Sequence, residues 1–465
     1  MLTYKLENLR LRWIIAILLL ISSVVFLSRL YEPSLSGDAA KYALIAKTML
    51  KEGDYLFPHL GEEPYYKKPP LFFWLIAISF KIFGFNEFAA RLPSALFGIL
   101  SSLVLFLLSF KITKNKTVSL LTAAIFILNF EVIRVTTVVR FESSLLFINL
   151  SSLLLLTEAN FKRSLAAGIL SGLGALIKGP FGLLGISAAA VYYALTEREK
   201  LKGVALSLGV ALLIPAVYFL YAYSHQPQFI KEFFENQIFG RITGELKEGT
   251  PRSFFFYERL ILKHFWPWNL LLLPALYYLI KGEIEISRER PFFLFLSFFL
   301  ITFIPLHLIS LKFTRYSYYL YPFLSFLAAS GARKVGIEEK VLKGVIALTV
   351  IYGLTAAACP CKFHKDKMKE LRPLTKVATE SFTPLGIDPE LPKLTKYALL
   401  FYFDGWSKNP KFLISDNCRG KAVAKLGKYC VKERYEGTSG DNGKGLERRN
   451  RTVPPAGQVH EPDGG

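Results

Sequence analysis

Apolar runs bounded by charge recur along the chain, near residues 12 to 30, 88 to 110, 117 to 133, 142 to 157, 164 to 177, 180 to 196, 203 to 222, 256 to 280, 291 to 310, 317 to 331 and 342 to 358. Several approach the roughly 20 residues a helix needs to cross a bilayer core. The pattern therefore predicts an α-helical polytopic membrane protein with about 11 to 13 transmembrane helices. The first run, Trp13 to Leu27, follows Lys5, Arg10 and Arg12 and has no small-x-small cleavage site after it. It reads as a retained span, not a signal peptide.

Two long segments interrupt the spans, 31 to 87 and 223 to 255. In the first, "DAAKYALIAKTMLKEG" has apolar residues at helical spacing and a stop at Gly53, the pattern of an amphipathic helix on the membrane surface. After Pro69 and Pro70, "LFFWLIAISFKIFG" is apolar but short for a crossing and reads as a second interfacial or re-entrant helix. Composition turns polar near 360, giving a transmembrane domain over 1–358 and a small soluble α/β domain over 359–436. The segments "KYALLFYF" and "KFLISD" are strand candidates there. The tail, 437–465, lacks a hydrophobic period and is expected to be disordered.

Of the 465 residues 52% are hydrophobic and 15% aromatic, too apolar for a soluble chain. A net charge of +21 would suit nucleic acid, but the cations lie between spans, which favours anionic lipid or a lipid phosphate. With the N-terminus cytoplasmic, the connections holding Lys111, Lys114 and Lys116, then Lys162 and Arg163, then Arg198, Lys200 and Lys202, all obey the positive-inside rule. That orientation puts the two long segments and the C-terminal domain on the opposite side. The cysteines, Cys359, Cys361, Cys418 and Cys430, all fall in that domain; disulfides are the favoured reading, with a zinc site the alternative.

Several cations on the outer side break the charge rule and need another explanation. Asp38 opens the first outer helix, either as a cap or as a carboxylate poised to take a proton from an acceptor; Lys41 and Tyr42 follow one turn on. Arg140 and Glu142 stand at the mouth of a span, as a structural ion pair or as substrate contacts. Lys178 interrupts two apolar runs before Gly179 and Pro180, which turn the chain; it is a snorkelling lysine or a phosphate ligand. Lys312, Arg315 and Tyr316 form a late cluster that an aromatic belt with snorkelling cations would also explain. Together with Lys67 and Lys68, beside Tyr66, these cations would line one positive cavity for a phosphorylated lipid. There is no P-loop, GxGxxG, HExxH or GxSxG. An outer-facing enzyme without a nucleotide site must use a membrane-borne donor.

The order of motifs resembles the bacterial lipid A aminoarabinose transferases and their relatives, GT-C-type glycosyltransferases related to the protein O-mannosyltransferases. The resemblance rests on the stretch from "SGDAAKYALIAKTML" through "EEPYYKKPPLFFWL" to "ARLPSAL", then on "RFESSL", "GALIKGP", "NQIFGRITG" and "KFTRYSYYLYP". It implies a polyprenyl-phosphate sugar donor and an acceptor that is lipid A, another glycolipid or a protein, at the periplasmic face of the bacterial inner membrane, by a monomer. It also implies that Asp38 is the catalytic acidic residue and that Lys178 binds the carrier phosphate, with Lys68 and Arg315 at matching motif positions; the placement of outer-side cations adds Arg140 and Lys312 as donor-phosphate ligands. Lys41, Tyr42, Tyr66, Lys67, Glu142, Asn236, Arg241 and Tyr316 fall to substrate binding. Ala39 stands where relatives have Glu, and Lys67 where they have an acid linked to a metal, so neither a cofactor nor a metal is expected. Inverting sugar transfer is the reading; a flippase for a lipid-linked sugar and a protein O-glycosyltransferase are the alternatives.

Overall fold

The computed structural model describes residues 8–433 except 29, 31–33, 236–239, 241–251, 282–289, 310, 359–370, 408 and 419–421. The chain divides into two compact units, one of Met1–Glu32 with Ile45–Phe363, the other of Pro33–Leu44 with His364–Gly465.

The first unit is helical. It runs through α1 (Leu11–Leu27), then α2 (Asp38–Glu52), which starts in the other unit. A two-residue hairpin of β1 (His59–Leu60) and β2 (Glu63–Pro64) leads to α3 (Leu71–Phe83), followed by α4 (Glu87–Thr113). Next come α5 (Lys116–Ile127), α6 (Phe130–Thr136), α7 (Glu142–Leu156) and α8 (Phe161–Lys178). A 3-10 turn, Gly179–Leu183, joins α8 to α9 (Leu184–Leu195), and α10 (Leu201–His225) and α11 (Pro227–Glu232) follow. The unit ends with α12 (Phe256–His264), α13 (Leu272–Ile280), α14 (Arg290–Leu308), the 3-10 turn Thr314–Tyr319, α15 (Tyr321–Lys334) and α16 (Glu338–Ala358).

By length and composition, Glu87–Thr113, Phe161–Leu195 and Arg198–His225 are apolar enough to cross a bilayer. The predicted span 117 to 133 is α5 and α6, bent by 65° at Leu128–Asn129. Asn129 forces the break, because its carboxamide oxygen accepts the N–H groups of Glu131 and Val132 and starts a new helix. The predicted span 256 to 280 is likewise two helices, with the break at Phe265–Pro267, where proline cannot continue α12. The run 317 to 331 opens as 3-10 turn and becomes α-helix only at Tyr321.

Small residues bring the helices close. Gly168 and Gly172 lie one helical turn apart on α8, and a Cβ on Gly168 would fall 2.7 Å from the Ser207 carbonyl of α10. This close approach is the small-xxx-small device of helices in lipid, and the Ser207 hydroxyl adds a hydrogen bond to Ser164 O at 2.8 Å. The stretch 161–195 is not one straight helix. A Cβ on Gly182 would fall 2.3 Å from the Gly174 carbonyl carbon, so the chain folds back after Lys178. Gly179, at φ +59°, makes that reversal and closes α8 by donating its N–H to Ala175 O. The turn expected at Gly179–Pro180 is therefore present.

One local expectation needs correction, and a second, on the length of α3, agrees with the structure. Residues 42 to 49 of α2 are all buried, Lys47 and Thr48 among them, so α2 is a packed helix and not one lying with a wet face on the membrane. The other helix of that segment, α3, has 13 residues, about 20 Å of helix, too short for a crossing.

The second unit holds α17 (Leu371–Ser381), β3 (Leu385–Ile387), α18 (Lys393–Tyr402), β4 (Phe412–Ser415), β5 (Ala422–Leu426) and β6 (Tyr429–Glu433). The sheet order is β3-β4-β6-β5; β3 and β4 are parallel and the other pairs antiparallel. "KFLISD" is β4, as expected. "KYALLFYF" is mostly α18: Pro392 fixes the entry, and Ala398, Leu399 and Phe401 are its buried residues. A short apolar run carries no period that separates a strand from a buried helix. Cys418 and Cys430 form a disulfide; Cys359 and Cys361 lie outside the described residues. Asp388 pairs with Lys432 at 2.6 Å. Burial pushes the Asp388 carboxyl up, but Lys432, Ser415 and the Glu390 N–H outweigh it and hold the carboxyl below its ordinary value.

Candidate active site

In the first unit the fold gathers charge where α7 begins and α8 ends. Glu142 is the first residue of α7 and is fully buried. Lys178, the last residue of α8, sets its Nζ 3.5 Å from Glu142 Oε1, and Arg315 Nε stands 3.5 Å from the same oxygen. Arg140 acts on Glu142 as a third cation. The turn that carries Arg140 is fixed by Ser94 of α4, whose hydroxyl donates to Arg140 O at 2.8 Å and accepts its N–H at 2.9 Å.

Aromatic rings enclose the ammonium. Lys178 Nζ lies 4.6 Å from the Phe141 ring centre, 4.4 Å from Phe181 and 4.6 Å from Tyr316. Such faces attract a cation and exclude water from it. Arg315 stacks in turn on Phe313 and Tyr316, at 4.5 and 5.6 Å. Among the described residues three cations face one carboxylate here, which leaves the cluster positive. Among the described residues Glu142 Oε2 and the buried Tyr319 hydroxyl take no hydrogen bond, so the site still holds polar capacity.

An apolar groove of about 600 Å³ opens beside it, lined by Ala175, Gly179, Pro180, Pro215, Phe219 and Phe233 among others. Gly179 and Pro180 of its lining directly follow Lys178 in the chain.

The other expected residues are placed differently. Lys68 is buried and donates to Lys67 O at 2.8 Å, whereas Lys67 is exposed. Phe72, four residues after Lys68, rests its ring 5.8 Å from Phe141 and ties this segment to the cluster. Tyr66 packs edge-on to Phe229 at 5.8 Å, beside a core of Phe57, Leu176 and Tyr218. Lys312 caps α14, donating to His307 O at 3.0 Å and Ile309 O at 2.6 Å. Asn236 and Arg241 lie outside the described residues. In the second unit, Lys41 pairs with Asp38 at 2.8 Å and lies over the Tyr42 ring at 5.1 Å. Gly37, not Asp38, is the cap of α2, since its carbonyl accepts the Lys41 N–H; Asp38 sits one place inside, where the helix dipole favours a carboxylate.

Reading the sequence missed a second buried carboxylate. Glu131 of α6 is fully buried, takes the Arg134 guanidinium on both oxygens and stands 3.3 Å from His264 Nδ1. An acid inside an apolar run was the available signal. Position 67, where the resemblance places an acid linked to a metal, is a lysine, and among the described residues no three His, Cys, Asp or Glu side chains gather.

A family profile described as dolichyl-phosphate-mannose-protein mannosyltransferase matches residues 67–221. An undecaprenyl phosphate-alpha-4-amino-4-deoxy-L-arabinose arabinosyl transferase of Pseudomonas paraeruginosa is 28% identical over 63% of this chain and 54% of its own length. Among solved structures, ArnT from Cupriavidus metallidurans bound to undecaprenyl phosphate superposes with a TM-score of 0.60 at 21% identity, covering 73% of this chain and 63% of that one. The chain is aminoarabinose-transferase-like, with the GT-C fold. It spans about half the length of the arabinosyl transferases it matches. An uncharacterized protein of Aquifex aeolicus is also 28% identical, over 78% of this chain and 71% of its own length. The profile match begins at Lys67 and runs through Arg140, Glu142, Lys178 and the groove residues up to Leu220, so the GT-C likeness covers most of the charged cluster.

Proposed function

We propose that the chain transfers a sugar from a polyprenyl phosphate to lipid A or a related envelope acceptor, at the periplasmic face of the inner membrane and with inversion. The observation that carries this reading is the Lys178–Glu142–Arg315 cluster, net-positive among the described residues, with an apolar groove lined by Gly179 and Pro180, which follow Lys178 in the chain. A phosphate joined to a long hydrocarbon chain needs a charged head site continuous with an apolar trough. The similarity to arabinosyl transferases supports a polyprenyl-phosphate donor.

In the transfer, the acceptor oxygen bonds to the anomeric carbon as the bond from that carbon to the phosphate oxygen breaks. The phosphate departs with the electron pair. Lys178, Arg315 and Arg140, with Lys68, stabilise that charge, and their fixed positions mean little reorganisation is needed as it develops. Glu142 holds Lys178 and Arg315 in place. Where the acceptor is a hydroxyl, Asp38 takes its proton; where it is an ionised phosphate, Asp38 orients acceptor or sugar.

Mass spectrometry of lipid A and other envelope glycolipids, from cells with and without the chain, tests this. A sugar-sized mass increment that depends on the chain and on Asp38 is expected. Identical glycolipids in both strains would remove lipid A and related glycolipids as acceptors.

A further inference from the structure

The residues just before Asp38 belong to the second unit. Pro33–Leu44 groups with His364–Gly465, not with the helices that follow it in sequence. The Leu35 N–H donates to the Tyr402 hydroxyl, across a sequence separation of 367. Leu35 itself is fully buried. Two residues on, a Cβ at Gly37 would lie 4.0 Å from Leu394 Cδ1. Leu394 and Tyr402 stand near the two ends of α18, so the segment is hydrogen-bonded at one end of that helix and runs close to the other. The chain then enters α2 directly: Gly37 O accepts the first helical bond from Lys41, and Asp38 pairs with Lys41 at 2.8 Å. Only two residues, Ser36 and Gly37, separate the anchored Leu35 from Asp38, and a run that short transmits position because its peptide bonds are planar and each residue adds only two soft dihedrals.

We propose that Tyr402 is a positioning residue for the transfer reaction, fixing the backbone from which Asp38 projects through its hydrogen bond to Leu35, so that the C-terminal unit sets the geometry of the candidate catalytic acid. This rests on the reading of Asp38 as the acid of sugar transfer. Tyr402 touches neither donor nor acceptor in this role; it acts through Asp38. A single hydrogen bond to a neutral backbone group is worth a modest amount, so the expected effect is about three- to tenfold in rate.

The test uses the full chain in proteoliposomes with a polyprenyl-phosphate-linked sugar and lipid A. Tyr402→Phe keeps the ring and deletes the hydroxyl; Leu35→Pro deletes the N–H from the other side of the same bond. Both are expected to lower kcat about three- to tenfold, with KM for the donor unchanged. In an Asp38→Asn background, Tyr402→Phe is expected to have no further effect on the residual rate, because the two act through one group. Hydrogen exchange of peptides covering residues 34–44 is expected to accelerate in Tyr402→Phe, while exchange in α8 and α10 stays as in the wild type. A kcat within twofold of the wild type, an effect that multiplies independently with Asp38→Asn, or unchanged exchange at 34–44 would each overturn the proposal. A wild-type chain that transfers no sugar would overturn the transferase reading, and the exchange experiment alone then decides whether Tyr402 anchors the segment.

Discussion

Replacing Glu142 by glutamine separates the two roles open to Lys178, structural partner and phosphate ligand. Glu142 is fully buried, with Lys178 and Arg315 each 3.5 Å from one of its oxygens. At an effective dielectric near 20, each pair carries about 5 kcal/mol of Coulomb attraction. The desolvation of three buried groups removes much of that, and breaking a buried pair by losing one partner costs about 3–5 kcal/mol. The three rings around Lys178 offset part of the loss at about 0.5–2 kcal/mol each. Glu142→Gln should therefore destabilise the chain by about 2–4 kcal/mol, read as a shift in its unfolding by sodium dodecyl sulfate. Adding Lys178→Met removes the uncompensated ammonium and should recover most of the loss. Affinity for undecaprenyl phosphate should respond differently. Lys178→Met forfeits a charge-assisted contact of about 1.5–3 kcal/mol, or roughly ten- to a hundredfold in Kd, whereas Glu142→Gln removes only the competing carboxylate. If Lys178→Met bound the lipid within twofold of wild type while Glu142→Gln destabilised as calculated, Lys178 would be a structural partner and the phosphate assignment would be wrong.

Three further outcomes follow from other parts of the structure. Lys67 is exposed beside buried Lys68, so Lys67→Glu should weaken use of an anionic donor or acceptor in a KM measurement, and unchanged kinetics would make it a solvated surface charge. Gly182→Ala places a Cβ 2.3 Å from the Gly174 backbone and should cost at least about 1–3 kcal/mol, seen as lost folded yield; a normal yield would contradict the fold-back after Lys178. The Asp388 carboxyl has its pKa lowered in the folded state by Lys432, Ser415 and the Glu390 N–H, so its stabilisation is complete above the ordinary carboxylate pKa of about 4 and fades as pH falls through the folded value. Limited proteolysis within 385–433 should rise below about pH 4, and Asp388→Asn should flatten that response.

What the sequence made legible was local. The reversal at Gly179–Pro180, the stop of α2 at Gly53 and the strand at "KFLISD" each depend on a few adjacent residues whose backbone preferences decide the outcome. Lys178, Arg140, Glu142, Arg315 and Tyr316 were all identifiable as charged or amphipathic groups at span ends, where polar side chains need a reason. Their convergence was not, because it depends on where α7, α8 and the turn at Thr314–Tyr319 pack. The bend at Asn129 and the break before Pro267 were readable in principle, but an apolar run masks them when hydropathy alone is followed. Least legible was the capture of residues 33–44 by the C-terminal unit: the Leu35–Tyr402 bond joins residues 367 apart, and no local pattern marks either partner. Lys312 and Tyr66 carried the same signals as Lys178 and Tyr316, yet one caps a helix and the other fills a core.

Sugar transfer from a polyprenyl phosphate, with Lys178 and Asp38 both taking part, is the proposed activity. Its most direct test is the purified chain in proteoliposomes with a labelled polyprenyl-phosphate sugar and acceptor lipid. Label is expected on the acceptor with the wild type and is expected to be lost in Asp38→Asn and Lys178→Met, both still folded. Labelled donor moved across the bilayer with no label on the acceptor would contradict it.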